Sequence, residues 1–253
     1  MLKVNFKTSE KYDIEIMKRY ALPGRGDWNW SDHVFLFHPK LRQKLKNIKL
    51  RKEKERVIER YVREFYDREI FNLNKKKEYF KREWKKINNQ YEKALCELME
   101  INPVAIKIEA TCIISICPIC PRDLKKKTFS VFYKQKIKQA RLTIAHEILH
   151  FYYFYKWKKI FQKNNEKNFD GPHIIWHLSE ILAPVILNTK RIQKLLREKA
   201  RGYKEHEAFK IKGKNSIAHF QELYSKYGKE GFSEFLKKAY MEIKKYKKEI
   251  QKI

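Results

Sequence analysis

Thr143-Ile144-Ala145-His146-Glu147-Ile148-Leu149-His150-Phe151 contains the pattern His-Glu-x-x-His. On a helix, positions four apart point the same way, with Cβ atoms about 6 Å apart. Two imidazoles so placed can ligate one Zn²⁺ at roughly 2.0–2.1 Å. Glu147 lies beside them, placed to act as a general base on water. The setting sharpens the reading. Residues 142–155 form a mostly apolar run in a chain that is 35% charged. A helix that is apolar nearly all round is a buried helix. Burying two imidazoles and a carboxylate without partners costs several kcal/mol, and a metal ion removes that cost. The competing reading is a pair of hydrogen-bonded core histidines, with Glu147 reaching solvent.

A second lone carboxylate follows downstream. Glu180 sits in Ile174-Ile175-Trp176-His177-Leu178-Ser179-Glu180-Ile181-Leu182-Ala183, which is otherwise mostly apolar. The same burial argument makes it the preferred third metal ligand. The alternative is a carboxylate paired with one of the many lysines. His177, one turn earlier on the same side, is either a partner that orients a ligand or the third ligand itself. His173 falls near a helix start and is a weaker candidate. Pro184 should bend this helix, because its ring blocks the bond to the Glu180 carbonyl. His206, His219, Tyr152, Tyr153 and Tyr155 are candidate transition-state donors, and the sequence does not choose among them.

The chain has 253 residues, enough for one large domain or a domain with an extension. Its 16 Phe, 15 Tyr and 5 Trp support a substantial core and exclude a disordered chain. With 59 Lys+Arg against 30 Asp+Glu, the formal charge is +29. That favours a polyanionic partner, nucleic acid or an anionic membrane surface. The excess is mostly Lys, spread along every segment, and AT-rich coding bias would produce the same composition. The N-terminal residues lack the apolar core of a signal peptide, and no apolar stretch reaches 18 residues. No transmembrane segment and a soluble, cytoplasmic protein are therefore expected. Cys96, Cys112, Cys117 and Cys120 are read as thiols. Cys117-Pro118-Ile119-Cys120 has zinc-knuckle spacing, but a second such pair is missing.

Working outward, Val4–Phe6 suggests a short strand and Ala21–Asp27 a loop whose glycines lack a nucleotide-binding context. Trp28 and Trp30 read as packing anchors. Val34–Phe37 suggests a strand, followed by a short helix through Leu45. Residues 50–101 carry two apolar stripes at helical spacing, giving an antiparallel hairpin that turns at Asn72–Asn74. Ile106–Ile116 and Thr128–Tyr133 are β-rich and should pair in a small sheet beside the motif helix. An edge there could bind an extended peptide. The motif helix is expected over Gln135–Trp157, and a polar loop over Lys158–Asp170. Gly171-Pro172 should open the next helix. Helices are expected over Ile192–Lys199, Ile217–Tyr227 and Phe232–Ile250.

The motif and the later glutamate resemble the gluzincin branch of the zincin metallopeptidases. The resemblance covers roughly residues 104–190. It implies a zincin-like domain at 103–253, which with the hairpin read from periodicity in an N-terminal segment at 1–102 gives an expected α+β, predominantly helical fold. It implies one Zn²⁺ on His146, His150 and Glu180, Glu147 as catalytic base, and a peptide or protein substrate. The segment around Glu180 is similar to the Trp-Leu-Asn-Glu-Gly-Phe-Ala stretch of the zinc aminopeptidases. Residues 151–179 make a longer spacer than theirs, and their Gly-x-Met-Glu-Asn motif is absent. Position 184 is Pro where thermolysin-like enzymes carry Asp, and no third histidine follows at metzincin spacing. Two other functions compete with the peptidase. One is a basic nucleic-acid-associated protein, including a protease recruited to DNA. The other is a catalytically silent zincin-like regulator or toxin–antitoxin partner.

Overall fold

The structure is a computed structural model, and it describes residues 1–22, 30–162 and 165–252. Helix dominates, with a four-stranded mixed sheet. In chain order the first elements are β1 (Leu2–Lys7), α1 (Glu10–Ala21), α2 (Ser31–Phe37), α3 (Pro39–Leu45), α4 (Arg51–Lys85) and α5 (Asn88–Leu98). Then come β2 (Ile108–Ser115), β3 (Arg122–Asp123), β4 (Thr128–Phe132), α6 (Ile137–Ile160) and α7 (Ile174–Leu187). The last are α8 (Lys190–Leu196), α9 (Lys204–Ala208), β5 (Lys210–Ile211), β6 (Lys214–Asn215), α10 (Ser216–Tyr227), α11 (Phe232–Lys244) and α12 (Lys247–Ile250).

Two compact units are present, and each is assembled from separate stretches of chain. One takes Lys3–Lys86 and Glu109–Thr143; the other takes Met1–Leu2, Ile87–Ile108 and Ile144–Ile253.

The first unit holds the sheet, in the order β1-β2-β4-β3. The expected pairing of the two β-rich segments is present. β2 and β4 run parallel, with Cys112 opposite Phe129 and Ile114 opposite Val131, and β3 lies antiparallel to β4. The C-terminal half of β2 and most of β4 are buried on both faces, as parallel strands usually are. α4 buries Ile58, Val62, Phe65, Tyr66 and Leu73, and the first four of these fall at helical spacing. They join Met17 of α1, Val34 of α2 and Leu41 of α3 in one core. A polar knot sits inside it. Asp13, fully buried, accepts from Tyr66 Oη at 2.7 Å, from Ile116 N at 3.2 Å and from Ser115 Oγ. Burial still outweighs these bonds and raises the Asp13 pKa to about 6.

Several expectations are corrected here. α4 continues through Asn72–Asn74, so the hairpin does not turn there. Leu73 is fully buried, and Asn72 donates its amide to Glu69 one turn back at 2.9 Å. Packing of that kind overrides the modest helix penalty of asparagine. Val34–Phe37 is helical, because a four-residue apolar run cannot distinguish a strand from a helical turn. The loop from residue 23 onward and Trp28 lie outside the described residues.

The second unit is helical, and α6 and α7 are its most buried elements. Residues 144–154 of α6 are buried except His146, and α7 is buried throughout except Trp176. α10 and α11 pack on α7. The expected helix start is shifted. Gly171-Pro172 is a cis peptide ahead of α7, and His173 is the N-cap, its Nδ1 accepting from Ile175 N at 3.2 Å. α7 runs through Pro184 to Leu187. Between Phe209 and Ser216 the chain makes a small hairpin that was not anticipated. β5 and β6 pair antiparallel around Lys212 and Gly213, at φ 50° and 76°. Two positive φ values suit a two-residue turn of the type that matches strand twist. The expected helix over Phe232–Ile250 is two helices, α11 and α12.

No helix among the described residues is long and apolar enough to cross a membrane.

Candidate metal centre

The site lies wholly within the second unit. α6 presents His146 and His150 one turn apart, and α7 presents Glu180 opposite them. His146 Nε2 lies 2.9 Å from His150 Nε2 and 3.0 Å from Glu180 Oε2. His150 Nε2 lies 3.4 Å from Glu180 Oε1. One ligand atom from each residue falls within 4.8 Å of the others, and no other such group of three or more His, Cys, Asp or Glu occurs among the described residues. The structure thus brings the three sequence-predicted ligands together.

A metal ion fits this arrangement on chemical grounds. Bonds of roughly 2.0–2.1 Å in tetrahedral geometry separate ligand atoms by about 3.3 Å. The separations here are comparable: 2.9 Å between the two nitrogens, 3.0 Å from His146 to one Glu180 oxygen and 3.4 Å from His150 to the other. His150 and Glu180 are almost fully buried, at 0% and 1% exposed. Two imidazole nitrogens and a carboxylate in so dry a place carry converging lone pairs. A cation satisfies all three at once, whereas one proton satisfies only two of them. The side chain of His146 is 23% exposed, so the group is open on one side. Glu147 is buried directly beside His146 on α6. A two-nitrogen, one-carboxylate set suits Zn²⁺ and several other first-row divalent ions.

A second histidine pair flanks Glu180. His177 Nδ1 lies 2.9 Å from His206 Nε2, and both rings are fully buried. Burial, then the neighbouring His206, push the His177 pKa down to about 4, while the Glu180 charge pulls it the other way. Burial lowers His206 too. Both are therefore neutral at pH 7, one donating to the other. Ser216 Oγ donates to the His206 carbonyl at 2.6 Å and fixes α9 at this point. His177 thus faces His206, outside the three-residue group.

The other candidate donors are engaged elsewhere. Tyr152 donates to Glu92 at 3.1 Å, and Tyr155 donates to the Ala105 carbonyl at 3.2 Å. Tyr153 is buried against Phe154 and Trp157. His219 pairs with Glu242 at 3.3 Å. The cysteines are free thiols and form no metal-capable group of three among the described residues. Burial raises the Cys96 pKa to about 11 and pushes Cys117 higher still.

One residue escaped the sequence reading. Tyr91, which belongs to the apolar stripe of the second predicted helix, donates its buried hydroxyl to the Ala145 carbonyl at 2.6 Å. That carbonyl immediately precedes His146. A tyrosine in a core stripe, where Leu or Phe would pack as well, is the one available signal.

Comparison with known proteins gave no matching family model, no matching curated protein and no matching solved structure.

Proposed function

We propose that the chain is a zinc-dependent peptidase of zincin type, with the metal on His146, His150 and Glu180. The observation that carries this reading is the convergence of buried His150 and Glu180 with partly exposed His146, with Glu147 next in sequence to a ligand. Zn²⁺ held there would supply Lewis acidity and bring the pKa of water towards about 7. The chain's own part falls to Glu147. Its carboxylate accepts a proton as water adds to the peptide carbonyl, then delivers that proton to the departing amine as the C–N bond breaks. The neutral His177–His206 pair holds no positive charge that would compete with a metal ion for Glu180. The partly exposed edge at His146 gives an extended peptide access.

The test joins metal analysis with cleavage of a mixed peptide library by wild type and Glu147→Gln. Wild type should carry one zinc per chain and cleave. The variant should keep the zinc and lose activity by about 10²–10⁴-fold. Equal cleavage by both would remove Glu147 from the mechanism. Zinc without cleavage of any peptide would favour a silent regulatory zincin.

A further inference from the structure

Beyond the metal centre, we infer that the groove around α8 is a binding site for the phosphate backbone of a nucleic acid. The groove is a shallow, open depression of about 630 Å³ in the second unit. Its lining sets four cations, Lys190, Lys194, Arg197 and Lys199, against one acid, Glu198.

The local sequence explains why they share a surface. Lys190 and Lys194 fall at i and i+4 on the exposed side of α8, Arg197 caps its C-terminus, and Ile192 and Leu196 are buried and seat the other face. The backbone beneath them is held in place. Asn188 donates Nδ2 to the Ala200 carbonyl at 2.9 Å and accepts from Ala200 N at 2.8 Å, closing the loop that follows α8. Arg197 occupies the left-handed region at φ 57°, its N–H bonded to the Gln193 carbonyl at 2.8 Å. That conformation costs a non-glycine residue roughly 1 kcal/mol.

These cations lack the partners that their neighbours have. Arg191, next in sequence to Lys190, pairs with Glu97. Among the described residues, none of Lys190, Lys194, Arg197 and Lys199 makes an ion pair. Like charges one turn apart repel by a few tenths of a kcal/mol per pair, and a bound polyanion reverses that term. The groove has no aromatic residue in its lining, which favours contact with phosphates over stacking on bases. It offers no apolar side chain for insertion into a bilayer, which disfavours a lipid surface. α8, from position 190 to 196, rises about 9 Å, the length of nearly three stacked nucleotides.

The experiment is fluorescence anisotropy of a labelled 20-nucleotide single strand with the full chain, from about 50 to 200 mM salt. The groove variant carries Lys190→Gln, Lys194→Gln, Arg197→Gln and Lys199→Gln. A control removes the same charge from the exposed face of α4, by Lys52→Gln, Arg56→Gln, Lys75→Gln and Lys85→Gln. Each phosphate contact on a single strand contributes about 0.7 to the slope of log K against log salt. The groove variant should therefore lose about 3 from the slope and bind on the order of 10²–10³-fold more weakly near 0.1 M salt. The control should stay near wild type, and all three proteins should melt alike. An unchanged slope in the groove variant would overturn the proposal. So would equal weakening in the control, which would mean diffuse charge, or no binding by wild type at low salt. Groove-dependent binding to phosphatidylserine vesicles in place of the oligonucleotide would also overturn it and assign the groove to a membrane.

Discussion

The hydroxyl of Tyr91 in α5 donates to the backbone carbonyl of Ala145 in α6, one residue before the first histidine of the motif. That carbonyl already accepts along the helix, so the tyrosine adds a second donor and ties α6 to α5 beside the His146–His150–Glu180 group. Tyr91→Phe keeps the ring and deletes the bond. The loss should be about 1 kcal/mol of stability, lowering the melting temperature by about 2–4 °C. If the bond also orients the histidines, zinc affinity should fall by up to about tenfold in a chelator competition. A drop in melting temperature with unchanged affinity would assign Tyr91 to packing alone.

Glu180 and His177 lie on the same side of α7 but face different partners. Glu180 meets His146 and His150, and His177 meets His206. Glu180→Ala should abolish stoichiometric zinc binding, weakening it more than about 100-fold. His177→Ala should keep one zinc per chain, as read by atomic spectroscopy after dialysis. Zinc lost from His177→Ala and retained in Glu180→Ala would exchange their roles.

Metal should also act on stability. A ligand that binds only the folded chain stabilises it by about 2.7 kcal/mol at a hundredfold excess over Kd. Adding zinc to the chelated protein should raise the melting temperature by several degrees. In His146→Ala the same addition should do nothing. An equal rise in that variant would place the ion elsewhere.

Asp13 supplies a prediction about pH. Its folded pKa is near 6, above the ordinary 3.8, because burial penalises the charged form. The folded chain therefore holds the Asp13 proton more tightly than the unfolded chain does. Stability from this group is fully present below about pH 4, falls as pH rises, and is lost by about pH 6 to 7. Two pKa units correspond to roughly 3 kcal/mol. Asp13→Asn cannot ionise, so the stability difference between wild type and variant should shift by about that amount between pH 4 and pH 7. Urea denaturation at several pH values measures it. A difference that does not vary with pH would mean that Asp13 titrates as in a free peptide.

How much of this was legible in the chain follows from which forces are local. The apolar run around His146 could be read as a buried helix because burial leaves a mark at nearly every position of residues 144–154 and of α7. Glu180 stood out for the same reason, as a lone charge in an apolar segment. Short runs carry less information. Val34–Phe37 fits a strand or one helical turn, and only its packing against α1, α3 and α4 decides. Asn72 and Asn74 weaken a helix locally, yet buried Leu73 between them keeps α4 whole. Lys212-Gly213 could have been recognised as a turn, but the strands flanking it are two residues each and leave no alternation to read. The Tyr91–Ala145 bond was not legible at all, since it depends on which helices meet.

The two-unit arrangement has a practical corollary for anyone trimming the gene. The stretches of the two units alternate along the sequence. A single deletion boundary anywhere between residues 87 and 108 would therefore leave two fragments, neither holding a whole unit. Limited proteolysis in that interval should yield pieces that stay associated under native conditions or unfold when parted. Expression of one unit alone calls for rejoining its separated segments through new linkers.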